Sequence, residues 1–219
     1  MSRGKRFKEI ERKKRKVRKK KSVERNQMIL GFLLIIAGII VFLIPNFKKN
    51  IEAKEEANAI DKFFQHEVEY SENNEVVEDE FNEDEYSSVL EIPKINLKKG
   101  LYSKDSKFND IKYNIQIMQE ADMPDVDKGN FILASHNGNS SISFFDNLRK
   151  LSGGDDVFVY YQGIKYKYKL VNIYEVKKSP NIELRNNETK TSITMITCKN
   201  GDKRKQVVYI GELVGEERY

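Results

Sequence analysis

The sequence predicts a mostly β domain, an antiparallel barrel or sandwich with one good helix, carried behind a single transmembrane helix. Three observations predict it. Segments between residues 87 and 219 alternate apolar and polar side chains at period 2, the signature of strands. Met28 to Ile44 (MILGFLLIIAGIIVFLI) is unbroken by charge and spans about 25 Å as a helix, near the short limit for a bilayer core. Charge comes in blocks: residues 1–25 hold fourteen Lys/Arg against three Glu, whereas residues 48–86 hold four Lys against fourteen Asp/Glu.

Massed positive charge before an apolar span stays on the cytoplasmic side, so residues 48–219 are expected outside the cell membrane, with the N-terminus inside. The basic run Lys13–Lys21 alone would suit nucleic acid or a nuclear address. Its apolar neighbour turns the reading to a single-pass membrane anchor, with the basic block available to anionic lipid head groups. A cleavable signal peptide fits less well, because the basic region is long and no small-residue cleavage site adjoins Pro45-Asn46-Phe47-Lys48. The net charge of +5 averages opposite blocks, and the remainder, about +4 spread over the C-terminal two-thirds, forms no clustered basic face, so no nucleic-acid partner is expected. The organisation is therefore a basic cytoplasmic tail (1–26), an anchor (27–47), a helical then acidic extracytoplasmic linker (48–86) and a folded domain (87–219).

In the linker, Ile51, Ala57, Ile60, Phe64 and Val68 lie roughly on one helical stripe, and residues 67–85 form an acidic, solvated spacer. The spacer is expected to stand the domain off the membrane. His66, among Glu67 and Glu69, reads as a solvated histidine.

The domain opens with Ser87–Tyr102, where Pro93 inside an alternating run points to an edge strand or bulge. Residues 110–119 (DIKYNIQIMQ) read as a strand, with a short helix competing. Asn130–Ser135 (NFILAS) is a short apolar strand ending at His136. Ser141–Leu151 reads as a helix, with Phe144, Leu148 and Leu151 on one face, a serine cap and Gly153 as its stop. Val157–Val171 is a hairpin turning at Gln162-Gly163. A polar loop, Lys177–Lys190, precedes the strand Ser192–Cys198, and Lys205–Val214 is its expected partner.

The alternation of Ser192-Ile193-Thr194-Met195-Ile196-Thr197-Cys198 marks a half-buried strand that stops at the only cysteine. One cysteine excludes an intramolecular disulfide and a cysteine-rich metal site, and two distant histidines argue against a multi-histidine centre. No cofactor or metal is called for, and a bound Ca2+ is left open. Taken alone, Cys198 reads equally as a buried core residue or as a nucleophile, the latter favoured by Lys199, Lys203, Arg204 and Lys205, which would lower a thiol pKa. A thiolate nucleophile needs a proton-moving partner and an oxyanion donor. The domain's one histidine, His136, also ends a strand, and the pair points to a cysteine transferase or hydrolase.

These residues carry a resemblance. Thr194-Met195-Ile196-Thr197-Cys198 resembles the sortase signature T-L-x-T-C, and Ala134-Ser135-His136 resembles its A-G-H element. Ile92-Pro93-Lys94-Ile95 resembles the I-P-K-I opening strand, and Phe145, Leu148 and Gly154-Asp155 fit an F-x-x-L…G-D pattern. Met123-Pro124 with Gly129-Asn130 resembles the stretch before the histidine. The resemblance runs from about Leu90 to Val214 and implies a closed sortase-type β-barrel with one or two short helices. It implies a transpeptidase of Gram-positive surfaces that cleaves an LPxTG-like sorting signal between Thr and Gly and passes the protein to a peptidoglycan-precursor amine. Cys198 would be the nucleophile, His136 the general acid and then base, and an arginine the substrate-positioning group, helped by N–H groups near Thr197 and Cys198. In many sortases that arginine lies five residues before the small residue closing the last strand, which here is Gln206, counted from Gly211. Arg204, two residues earlier on the same strand face, is the expected arginine. Gln206 would add a neutral hydrogen bond, and Lys203 or Lys205 would be substitutes. No Asp-Pro-aromatic lid motif occurs, which favours a class A/D-like, surface-anchoring enzyme over a pilus-assembling one. Rival readings are a cell-wall cysteine peptidase and a non-catalytic, membrane-anchored binding module.

Overall fold

A computed structural model describes residues 28, 30–42, 44, 50–65, 85–179, 182 and 184–219. The basic tail, His66 and the acidic run 66–84 lie outside the described residues. The chain divides into two units, one ending at Lys54 and one from Glu55 to Tyr219. In the first, residues 30–42 are helical and expose Phe32, Leu33, Leu34 and Phe42. Among the described residues no helix is long and apolar enough to cross a membrane.

The second unit is an eight-stranded, nearly closed barrel. Its strands are β1 (Tyr86–Ile92), β2 (Leu97–Tyr102), β3 (Gln116–Ile117), β4 (Asn130–Ala134), β5 (Asp156–Tyr161), β6 (Ile164–Lys177), β7 (Ser192–Lys199) and β8 (Asp202–Arg218). Their order in the sheet is β2-β1-β5-β6-β8-β7-β4-β3. Every neighbouring pair is antiparallel except β4–β7, which is parallel. At the seam the Asn114 Nδ2, just before β3, donates to the Gly100 carbonyl of β2 at 2.8 Å. One side-chain amide thus links the two strands that end the sheet.

The β5–β6 hairpin follows the sequence reading: Gln162 and Gly163 both have positive φ, 49° and 72°, as a tight two-residue turn requires. Pro93 serves differently from the expectation. It opens a 3-10 turn, Pro93–Ile95, that closes at Asn96 in the left-handed region and folds β1 back onto β2. A fixed φ and a missing N–H make proline a good first residue of such a turn. Residues 110–119 yield only the two-residue β3. Upstream, the buried Asn109 accepts the Ile117 N–H at 2.7 Å and donates to the Ile117 carbonyl at 2.9 Å, so a side chain takes the place of a strand partner.

The expected helix over 141–151 is also corrected. The described structure is a run of turns followed by a five-residue 3-10 helix, Asp146–Lys150. Burial of Phe145 and Leu148, and the Phe145 N–H donating to the His136 carbonyl at 3.2 Å, hold the segment against the barrel and interrupt a regular helix.

The helical part of the segment read as a spacer is docked from Glu55 onward. Ile60 and Phe63 pack with Val89, and the Phe64 ring meets Tyr160 and Tyr219 edge-on at 5.1 and 5.2 Å. Glu56 accepts from the Tyr86 hydroxyl at 2.8 Å, from the Gly100 N–H at 2.9 Å and from the Lys99 ammonium. Burial and this carboxylate raise the Tyr86 phenol far above its ordinary pKa, so it stays a donor at all ordinary pH.

Candidate active site

β7 lies between β8 and β4, and this position changes what its alternation means. Ser192 to Thr197 are all buried, so the strand is not half-exposed as the pattern suggested. Its polar face is satisfied internally: the Asn130 Oδ1 of β4 accepts from the Ser192 hydroxyl at 3.1 Å and the Thr194 hydroxyl at 2.9 Å. Ile193 and Met195, on the other face, enter the core. The Thr197 hydroxyl donates to the Ser135 carbonyl at 2.9 Å and is wholly buried, so this side chain braces the two strand ends rather than facing solvent.

The parallel pairing brings the ends of β4 and β7, which lead to His136 and Cys198, to the same end of the sheet. Ala134 is the partner of Ile196, and the Ser135 N–H donates to the Ile196 carbonyl at 3.3 Å. His136 and Cys198 each lie two residues past this last pair, at the same end of the sheet. Both are half-buried at the end of the sheet, one leaving β4 and one near the end of β7. The next residue, Asn137, was not singled out by the sequence reading. Its Nδ2 donates to the Cys198 carbonyl at 2.8 Å. Only its place directly after the histidine could have flagged it.

On the other side, Gln206 of β8 is the cross-strand partner of Cys198. Directly opposed residues of an antiparallel pair share a sheet face, so Gln206 flanks the thiol. Its Oε1 accepts the Ser179 N–H at 3.3 Å, which ties the start of the β6–β7 loop to the site. Arg204 lies two residues earlier, at the hairpin end. Its side chain is 90% exposed and its Nε donates to Asp202 at 3.1 Å. That guanidinium holds the Asp202 carboxyl below the usual carboxylate range.

The neighbouring cations are less available to the thiol than their sequence position suggested. Lys199 and Lys205 both bind the Glu175 carboxylate, at 2.5 and 3.2 Å, and hold its pKa below the usual range. One carboxylate offsets one of the two positive charges, beside a well-solvated surface that screens the other. Among the described residues, no group of three or more His, Cys, Asp or Glu could hold a metal ion.

The eight-stranded barrel has a counterpart in known proteins. The family model for the sortase domain matches residues 90–214. The chain belongs to the sortase family. The chain is 24% identical over 206 residues to sortase A of Bacillus anthracis, an alignment covering 88% of this chain and 96% of that protein. Among solved structures, the Clostridium perfringens sortase D5 transpeptidase is similar with a TM-score of 0.56 at 21% identity, covering 76% of this chain and 99% of that one. Sortase A of Listeria monocytogenes is similar with a TM-score of 0.52 at 21% identity, covering 61% and 90%. At these identities the structures speak for the sortase fold. Sortases are cysteine transpeptidases that act on surface proteins.

Proposed function

We propose that this sortase cleaves an LPxTG-like sorting signal between Thr and Gly and transfers the surface protein to an amine of a peptidoglycan precursor. The observation that supports the reading is the parallel β4–β7 register, which ends two residues short of both His136 and Cys198, with the Asn137 side chain bonded to the Cys198 carbonyl. The Cys198 Sγ attacks the Thr carbonyl carbon, and the C–N bond to Gly breaks as His136 protonates the leaving amine. This leaves a thioester on Cys198. The incoming amine then attacks that thioester, His136 takes its proton, an amide forms and the thiolate is released.

Arg204 is the proposed substrate-positioning cation, swinging from Asp202 to the developing oxyanion when substrate is bound, and Gln206 adds a neutral hydrogen bond beside Cys198. Anchoring of surface proteins, rather than pilin polymerisation, is the proposed role, with residues 27–47 as a membrane anchor and the barrel outside the cell. The test is incubation with an LPxTG-type peptide, with and without an amine acceptor. We expect a thioester-linked adduct on Cys198 by mass spectrometry and an amine-linked product when acceptor is present. Free acid alone, despite abundant amine, would count against transpeptidation.

A further inference from the structure

We infer that Asn137 is a positioning residue of the transpeptidation site, its side-chain amide fixing the Cys198 peptide to the residue that follows His136. The inference rests on the reading of Cys198 as nucleophile. The parallel β4–β7 ladder carries its last backbone rung from the Ser135 N–H to the Ile196 carbonyl at 3.3 Å. Rungs of a parallel pair alternate in direction. The next would end on the Ser135 carbonyl, which accepts the Thr197 hydroxyl at 2.9 Å, and the one after it would run from the amide of residue 137 to the carbonyl of residue 198. The chain has turned away by then, because the His136 carbonyl accepts the Phe145 N–H at 3.2 Å. The Cys198 carbonyl is reached instead by the Asn137 side chain, Nδ2 to O at 2.8 Å.

This substitution of a side chain for a rung has a consequence for the chemistry. It lets the chain leave the sheet at His136 while the nucleophile's main chain stays tied to the histidine's neighbour. The segments that carry the two side chains are thereby tied together, which favours a geometry in which His136 reaches the amine leaving the carbonyl that Cys198 attacks. The Asn137 Oδ1 is buried and has no hydrogen-bond partner among the described residues, so the Cys198 carbonyl is the partner that fixes its side chain.

The experiment uses the full-length chain in detergent, an LPxTG-type peptide, iodoacetamide and thermal unfolding. Asn137→Ala is expected to lower kcat for peptide cleavage about 10- to 100-fold, with KM held within about threefold and Tm within about 3 °C of the parent. Iodoacetamide, which meets a single thiol in this chain, is expected to modify Cys198 about fivefold more slowly. Asn137→Asp, of equal size but without a donor at neutral pH, should behave like Asn137→Ala. A kcat within about twofold of the parent in either variant would overturn the inference. If the parent cleaves no sorting peptide, the proposed function fails by itself, and the alkylation rate still decides: equal rates in parent and variant reject the role of Asn137. Should the alanine variant not fold, Asn137→Asp carries the test. Loss of the fold in both makes the residue structural and likewise rejects it.

Discussion

Gln206 stands directly across the β7–β8 pair from Cys198, with its Oε1 holding the Ser179 N–H at 3.3 Å. The β8 residue paired with Cys198 is therefore a neutral amide already engaged in anchoring a loop, while Arg204, two residues away along β8, is exposed. A guanidinium contributes to an oxyanion what an amide cannot, a full charge with several donors. Arg204→Ala is accordingly expected to lower kcat/KM for an LPxTG-type peptide by about 100- to 1000-fold. Gln206→Ala should cost far less, chiefly through KM, because it frees the β6–β7 loop. Equal losses in the two variants would reject Arg204 as the functional cation.

The buried polar face of β7 depends on one side chain. Asn130→Ala would leave the Ser192 and Thr194 hydroxyls buried without the carbonyl they share. Each buried hydroxyl left unpaired costs about 1–3 kcal/mol. Urea unfolding should show a loss in that range or above with an unchanged m-value. A midpoint equal to the parent's would show that the hydroxyls find other partners.

Glu56 is the polar anchor of the docked helix, accepting from Tyr86, Lys99 and the Gly100 amide. Glu56→Ala should loosen residues 55–65 from the barrel. Amide hydrogen exchange is then expected to quicken around Ile60 and Phe63 while the core around Phe131 and Met195 keeps its protection. Unchanged exchange in the helix would mean that Phe64 and its ring contacts suffice to hold it.

Asp155 accepts from the Lys94 ammonium and the Ser152 N–H, both at 2.7 Å, and so latches the turn after β1 to the turn before β5. The Lys94 hydrogen bond, helped by the Ser152 donors, holds its pKa below the ordinary carboxylate value. A carboxyl depressed in the folded state stabilises the fold at pH above the unfolded value, and the contribution fades as pH falls through the lowered folded value. Asp155→Asn should thus destabilise at pH 7 by no more than about 1 kcal/mol, the ceiling for a surface pair. The gap between variant and parent should close as pH drops below about 4. A gap that persists at low pH would assign the effect to the hydrogen bond alone.

Cys198 is the only cysteine in the chain and is half-buried at the end of β7, so one thiol reports the side of the membrane on which the barrel lies. A membrane-impermeant maleimide added to intact cells expressing the protein should label it, and a Cys198→Ala variant should remain unlabelled. Labelling only after lysis would overturn the proposed topology.

The β5–β6 hairpin, the β7–β8 pair and the approach of β4 to His136 were legible in the sequence, because local alternation and turn residues such as Gln162-Gly163 carry their own signal. The helix expected over 141–151 was not, since burial of Phe145 and its bond to the His136 carbonyl overrode the local pattern. The docking of Ile60, Phe63 and Phe64 was equally hidden: an apolar stripe shows that a helix face wants cover without showing what covers it.

The sequence by itself determined the two residues that can do covalent and proton chemistry, Cys198 and His136, and the strand ends that carry them, because residue identity and period-2 alternation are local properties. Only the tertiary structure decided that they share one end of the sheet. A parallel pairing of β4 with β7, across sixty-two residues of chain, brings the two strand ends there, and no short-range pattern encodes a non-local register. The same holds around the thiol. The sequence lines up Lys199, Arg204 and Lys205 just after Cys198, but the fold pairs them with Glu175 and Asp202 and brings up Gln206 and Asn137 instead, since which carboxylate or amide reaches which group is set by sheet neighbours rather than chain neighbours.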